Sequence, residues 1–296
     1  MNVRPRRSVL YMPGSNQRAL AKARSLKADA LILDLEDSVA PDQKALARDQ
    51  VTAAARQGGF GRREVVIRVN NLLSPWGADD LIAAAAAKPD AVLLPKVDGP
   101  GVVMQAARQL REAGAPEGLR LWAMMETPLA ILNAGAIAAA AADPASRLDV
   151  LVMGLNDLAK ETRARLTPGR STMMVWLARS VVAARAHGVD IIDGVFNDIA
   201  DLDGFRDECL QGRDMGLDGK TLIHPSQIEI CNEAFAPTSA EVESAAAIIA
   251  AFALPENAGK GAIQLNGRMV ELLHADMARR TLAIADAIAG RTEAAA

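Results

Sequence analysis

Two carboxylates, Glu126 and Asp157, each stand at or just past the end of a short apolar run, Trp122-Ala123-Met124-Met125 and Val150-Leu151-Val152-Met153. If those runs are neighbouring strands, the two carboxylates approach a shared point, where both stay ionised only beside a cation. Mg²⁺ suits such a pair, because it takes one or two carboxylates and fills its shell with waters and substrate oxygens. Ordinary loop carboxylates are the alternative, as is Asp157 serving as N-cap of the helix behind it. Arg68 lies inside a third apolar run, Val66-Ile67-Arg68-Val69-Asn70. A guanidinium there is costly unless it faces a polar pocket or pairs with an acid such as Glu36 or Asp37. Facing a pocket, it would clamp a substrate carboxylate or a developing enolate oxygen. Paired inward, it would be a structural ion pair. Arg18 and Lys22, four residues apart behind Pro13-Gly14-Ser15, share one face near a helix N-terminus. That face is either a phosphate site or a solvated basic surface. The histidines, His187, His224 and His274, are scattered and offer no Ser-His-Asp or Cys-His arrangement.

These residues need elements to position them. Short apolar, β-branched-rich runs predict strands at 8–12, 30–35, 65–69, 91–95, 121–125, 149–153, 189–192 and 220–223. Ala-rich segments with helical periodicity lie between them, at 19–26, 42–55, 79–87, 102–113, 129–142, 173–186 and 202–215. Continuous apolar strands alternating with helices mean a parallel sheet covered by helices. Eight such units match a (β/α)8 TIM barrel in count and size. A doubly wound open sheet competes, but its glycine-rich nucleotide fingerprint is missing. In a barrel the carboxyl ends of the strands share one face. Asp34 with Glu36 and Asp37, Arg68 with Asn70, Lys96, Glu126, Asp157 and Asp193 would then line one mouth. The tail differs: Thr238-Ser239-Ala240-Glu241 reads as a capping box, and Asn266-Gly267 as a hairpin turn before a final helix over about 274–289. We therefore expect a barrel domain over 1–235 and a helix–hairpin–helix arm over 236–296 that covers a neighbouring subunit's site.

The chain has 296 residues with 33 Lys+Arg against 36 Asp+Glu, a net charge of −3. That balance supplies no basic stripe, and 3% aromatic residues supply no stacking platform, so nucleic acid is not an expected partner. The longest uncharged apolar run, 134–142, is about half a membrane span, so no membrane is expected either. Behind the basic start, the run from Val9 to Met12 stops at Pro13-Gly14, too short for a signal peptide. Two cysteines, Cys209 and Cys231, make no disulfide framework. The expected setting is the cytoplasm.

Taken together, RSVLYMPGSNQRALAKA (7–23), ALILDLEDSVAPDQK (30–44), VVIRVN (65–70), LLPKV (93–97), METP (125–128), GLNDLAK (154–160), GKTLIHPSQI (219–228), FAPTSAEVESA (235–245) and GKGAIQLNGRMVE (259–271) make the chain resemble, nearly end to end, the citrate lyase beta subunit-like and malyl-CoA lyase-like enzymes. The resemblance implies a Mg²⁺-dependent barrel that makes or breaks a carbon–carbon bond in a 3-hydroxyacyl-CoA, such as malyl-CoA or citramalyl-CoA. The products would be acetyl-CoA and a 2-oxo acid, glyoxylate or pyruvate. It further implies Glu126 and Asp157 as metal ligands and Arg68 as the substrate-orienting arginine. Glu36 and Asp37 would be acids around them, Arg18 and Lys22 would lie towards CoA phosphates, and Asn70 and Lys96 towards substrate. Relatives form homotrimers or multiples of them. Their tail carries Asp in a G-x-M-I-D segment as proton carrier to the neighbouring site, where this chain has Glu271 in Gly267-Arg268-Met269-Val270-Glu271. The extra methylene displaces that carboxylate by about an ångström, enough to disturb a reacting geometry. Three other readings stay open: a citrate lyase beta subunit acting on an acyl-carrier-protein thioester, a CoA-independent pyruvate-type class II aldolase, and a non-catalytic acyl-CoA-binding relative.

Overall fold

Eight segments form parallel strands: β1 (Ser8–Pro13), β2 (Ala30–Asp34), β3 (Glu64–Arg68), β4 (Ala91–Leu94), β5 (Arg120–Met125), β6 (Leu148–Met153), β7 (Asp190–Asp193) and β8 (Gly219–Leu222). Each pairs with the next in chain order and β8 returns to β1, closing the barrel. Between them run α1 (Gln17–Ala23), α2 (Lys44–Gln57), α3 (Gly77–Ala87), α4 (Pro100–Glu112), α5 (Pro128–Leu132), α6 (Ala134–Ala139), α7 (Leu155–Thr162), α8 (Met174–Ala186) and α9 (Leu202–Asp214), with α10 (Gln227–Ala234) after β8. The computed structural model describes residues 3–293. These fall into two units, one running from Arg6 to Phe235 and the other holding the chain from Ala236 onward together with the residues before Arg6.

Strand periodicity sorts the barrel core into two layers. Val9, Ile32, Val66, Leu93, Trp122 and Met124 are among the residues that pack inside the barrel. Their neighbours Leu10, Leu31, Leu33, Ile67, Val92 and Leu94 pack outward beneath the helices. The amino-terminal end of the barrel is plugged by Arg6, which reaches Glu64 at 2.8 Å, Asp149 at 2.5 Å and Asp190 at 2.6 Å. Register at the opposite end places Pro13 beside Asp34 and Asp34 beside Arg68, with Met125 level with Met153. Residues far apart in sequence therefore reach the mouth at similar height.

Expected and observed elements differ locally. The helix expected over 129–142 breaks at Asn133, which ends α5 and caps α6. Helices α7 and α10, each eight residues long, are additions to the expected set. Gly154 is the N-cap of α7 and Asp157 lies within its first turn, so the N-cap alternative for Asp157 is corrected.

In the second unit, α11 (Ser239–Phe252) opens with the capping box, Thr238 and Glu241 closing it reciprocally. Strands β9 (Ala262–Leu265) and β10 (Arg268–Glu271) pair antiparallel around Asn266 and Gly267, at φ 51° and 77°. Those left-handed values are what a tight two-residue hairpin turn demands. Helix α12 (Leu272–Glu293) begins directly after β10, and Ala251, Ile263 and Val270 form the unit's small core. No helix among the described residues is long and apolar enough to cross a membrane.

Candidate active site

A cavity of about 320 Å³ opens at the carboxyl end of the strands, with Tyr11, Asp34, Arg68, Glu126 and Asp157 among its lining residues. This is the end of a barrel at which loop and strand-terminal side chains build reacting sites.

Arg68, the last residue of β3, is enclosed by acids. Its Nε and Nη2 donate to the two oxygens of Asp34 at 2.6 and 2.8 Å, a bidentate pair. Nη1 lies 2.9 Å from Glu36 and 3.4 Å from Asp37. The sequence reading named Glu36 or Asp37 as its partner. Both are present, but the principal one is Asp34, which that reading placed at the mouth without a role. Asp34 also accepts the backbone N–H groups of Glu36 at 2.9 Å and Ser38 at 3.1 Å. Burial raises its pKa, yet the Arg68 charge and these hydrogen bonds outweigh burial and hold the carboxyl below its usual range. Glu36 has the opposite fate. Burial pushes it up to about 8, with Glu126, Asp37 and Asp34 adding to the shift and only Arg68 opposing it. Its buried Oε2, the oxygen 2.9 Å from Arg68 Nη1, makes no aligned hydrogen bond among the described residues. Around these groups the backbone is tied down from behind: Lys44 donates to the carbonyls of Leu35 and Glu36 at 2.9 and 2.7 Å. Asn70 donates to Leu35 O at 2.9 Å and to Asp80 at 2.6 Å.

Glu126 and Asp157 reach the same cavity from β5 and α7, and Lys96 joins them. The backbone N–H of Lys96 donates to Glu126 Oε1 at 2.7 Å, while its Nζ donates to Asp157 Oδ1 at 2.7 Å and lies 3.6 Å from Glu126 Oε1. That double grip needs Lys96 in the left-handed region, at φ 51°, a strain of the kind residues hold at functional sites. Burial raises the Glu126 pKa, and the Lys96 charge opposes the rise. Gly154 is the other enabling residue. A Cβ there would lie 2.4 Å from Glu126 Cβ and 2.8 Å from its Oε2, so only glycine leaves the carboxylate room. Two hard oxygen donors at a cavity that also holds Asp34, Asp37 and Arg68 fit Mg²⁺, which needs no more than one or two protein carboxylates. No group of three or more His, Cys, Asp or Glu forms a fuller cage among the described residues.

The structure thus brings Arg68, Glu36, Asp37, Lys96, Glu126 and Asp157 together, with Asn70 behind them committed to Asp80. Arg18 and Lys22 are exposed on α1 and do not line the cavity. Glu271 ends β10 in the second unit, its N–H donating to His274 Nδ1 at 3.0 Å. Sequence reasoning gave no role to Asp34 or Tyr11. The alternation Leu33-Asp34-Leu35-Glu36-Asp37 was the available signal for the first. For the second there was none beyond its strand.

Known proteins resemble the chain along most of its length. Residues 7–225 match the HpcH/HpaI aldolase/citrate lyase family. A protein of Cereibacter sphaeroides named (3S)-malyl-CoA thioesterase is 50% identical over 285 residues, covering 96% of each chain. Citrate lyase subunit beta of Escherichia coli is 34% identical over 288 residues, covering 96% of this chain and 94% of that one. Among solved structures, the protein CitE of Mycobacterium tuberculosis, in complex with magnesium, acetoacetate and coenzyme A, superposes with a TM-score of 0.74. It is 29% identical, over 94% of this chain and 97% of that one.

Proposed function

The chain belongs to the HpcH/HpaI aldolase/citrate lyase family, and from that premise we propose a magnesium-dependent enzyme that cleaves the CoA thioester of a small 3-hydroxy dicarboxylic acid of the malyl type. The observation that carries the proposal is one cavity holding the Glu126–Asp157 pair and Arg68 together. We infer thioester hydrolysis, to free CoA and the hydroxy acid, as the reaction. Support comes from four Cereibacter sphaeroides proteins, each 50% identical over 96% of this chain, that bear the name (3S)-malyl-CoA thioesterase. The carbon–carbon cleavage implied by the motifs is the second reading, favoured by the 34% identity to citrate lyase subunit beta.

Glu126 and Asp157 would hold Mg²⁺, which when bound neutralises substrate carboxylate and acts as a Lewis acid. Lys96 fixes both ligands, one by its N–H and one by its ammonium. Arg68, oriented by Asp34, faces the thioester oxygen, which gains negative charge in either reaction: as a tetrahedral oxyanion in hydrolysis, as an enolate in carbon–carbon cleavage. Asp37, whose side chain is 64% exposed at the cavity rim, and Glu271 of a neighbouring subunit's tail are the proposed proton acceptors. Without the metal, burial and the Glu126, Asp37 and Asp34 charges push Glu36 up to about 8. A homotrimer or a multiple of it belongs to the same proposal, with Glu271 supplied from a neighbouring copy's tail.

Product analysis tests it. Malyl-CoA and citramalyl-CoA are incubated with the protein and Mg²⁺, thiol release is followed with a disulfide dye, and 2-oxo acids are trapped as hydrazones. Free CoA with malate and no hydrazone supports hydrolysis. Acetyl-CoA with a glyoxylate or pyruvate hydrazone supports the second reading, and intact esters refute both.

A further inference from the structure

Tyr11 is the single tyrosine of the chain. It stands on β1, and its side chain lines the cavity together with Arg68 and Glu126. The face of its ring lies 4.8 Å from the Arg68 guanidinium carbon, a cation–π contact that fixes the ring plane. Its hydroxyl is poorly served by the protein. Among the described residues its one hydrogen-bond partner is Met124 Sδ, at 3.6 Å, and a thioether is a weak acceptor. A phenol inside an apolar barrel normally finds an oxygen partner when buried, so an O–H left to a sulfur at the rim of that cavity is a donor available to a ligand.

The neighbouring arginine makes that donor matter. Arg68 has already given Nε and Nη2 to Asp34 and directs Nη1 at Glu36 and Asp37. With Nε and Nη2 spent on Asp34, it has less to give a substrate oxygen, and the Asp34 and Asp37 carboxylates repel a developing negative charge. A neutral donor beside it meets the need without adding an ion. Burial holds the Tyr11 phenol well above its ordinary pKa, so it remains an O–H donor throughout the neutral range.

We propose that the Tyr11 hydroxyl leaves Met124 when substrate binds and donates a hydrogen bond to the thioester carbonyl oxygen, sharing with Arg68 the charge that builds there. The inference rests on the function proposed above, and it holds for either reaction, since that oxygen turns anionic in both. No proton changes owner: the O–H···O bond shortens as charge accumulates and relaxes as the charge is lost.

Tyr11→Phe is the test, because it keeps the ring against Arg68 and removes only the hydroxyl. Steady-state kinetics on the accepted CoA thioester should show kcat falling about 10²-fold, as for removal of one oxyanion donor, with KM changed by less than about threefold. Tyr11→Leu, which removes the ring as well, should lose more. Thermal melts and Mn²⁺ binding by calorimetry are run on each variant, and both should match the unmodified protein for Tyr11→Phe. An unchanged kcat for Tyr11→Phe would overturn the inference. So would a rise in KM at constant kcat, which would make Tyr11 a binding contact only. Should the unmodified protein cleave no CoA thioester, it is the proposed function that fails, and that outcome is seen before any variant is made.

Discussion

Asp34 and Glu36, two residues apart on one strand end, have carboxyls driven in opposite directions. Asp34 is anchored as an anion by the bidentate Arg68 pair and two backbone N–H groups, while Glu36 receives burial and like charge and rises to about 8. The consequence for stability has a definite sign. Between about 4.5 and 8 the folded, chelator-treated protein binds a proton at Glu36 that the unfolded chain has lost, so stability falls as pH rises through that window. Denaturant titrations in chelator should show that slope, and Glu36→Gln should remove it; an identical slope in the variant would mean the proton sits elsewhere. Arg68→Lys should be more harmful than its charge suggests, because an ammonium cannot reproduce the fork to Asp34. We expect kcat/KM to fall about 10²-fold or more together with a lower melting temperature, because Asp34 stays buried with a poorer partner; full activity would return Arg68 to a purely structural ion pair.

At the scale of elements, the site is made by where strands stop. The turn from β6 into α7 is a single residue, Gly154, and it both aims Asp157 and leaves room for Glu126. Gly154→Ala should therefore weaken Mg²⁺ binding sharply and cost about 1–3 kcal/mol of stability by overpacking, read by calorimetry and by chemical denaturation. Unchanged metal affinity would contradict the placement of Glu126. A second ionic cluster supports the far side of the mouth: Lys220 and Asp193, both fully buried, meet at 3.1 Å, and Arg170 and Glu208 complete the group. Strands β1 to β7 were legible in the sequence because each contains a continuous apolar run, as a sheet covered on both faces requires, whereas β8, Gly219-Lys220-Thr221-Leu222, followed only from the alternation of strands and helices. The hairpin was legible from Asn266-Gly267, and α11 from its capping box. Helices α7 and α10 were not, since each is only two turns long and neither N-cap residue, Gly154 or Ser226, makes a side-chain capping bond. The metal-ligand candidates and Arg68 could be picked out as polar residues ending apolar strands. Asp34 as the partner of Arg68 could not, because their meeting depends on the register of β2 against β3 across 34 positions.

For the whole molecule, the barrel unit carries every cavity residue discussed, and Glu271 lies in the other unit. If that carboxylate serves a neighbouring copy, mixed oligomers of Glu126→Gln and Glu271→Ala chains should regain activity that neither variant has alone. No recovery after co-refolding, with the oligomer intact, would remove Glu271 from the proton-acceptor role. Within the proposed function, Glu126 and Asp157 would hold a magnesium ion over which a malyl-type thioester is cleaved. It is tested most directly by following malyl-CoA consumption in the unmodified protein and in Glu126→Gln, each with Mg²⁺ and with chelator. Consumption is expected from the unmodified protein in Mg²⁺ alone, restored when Mg²⁺ is added back after chelation, with none by Glu126→Gln in either condition. Consumption that persists in chelator, or in Glu126→Gln, would contradict it.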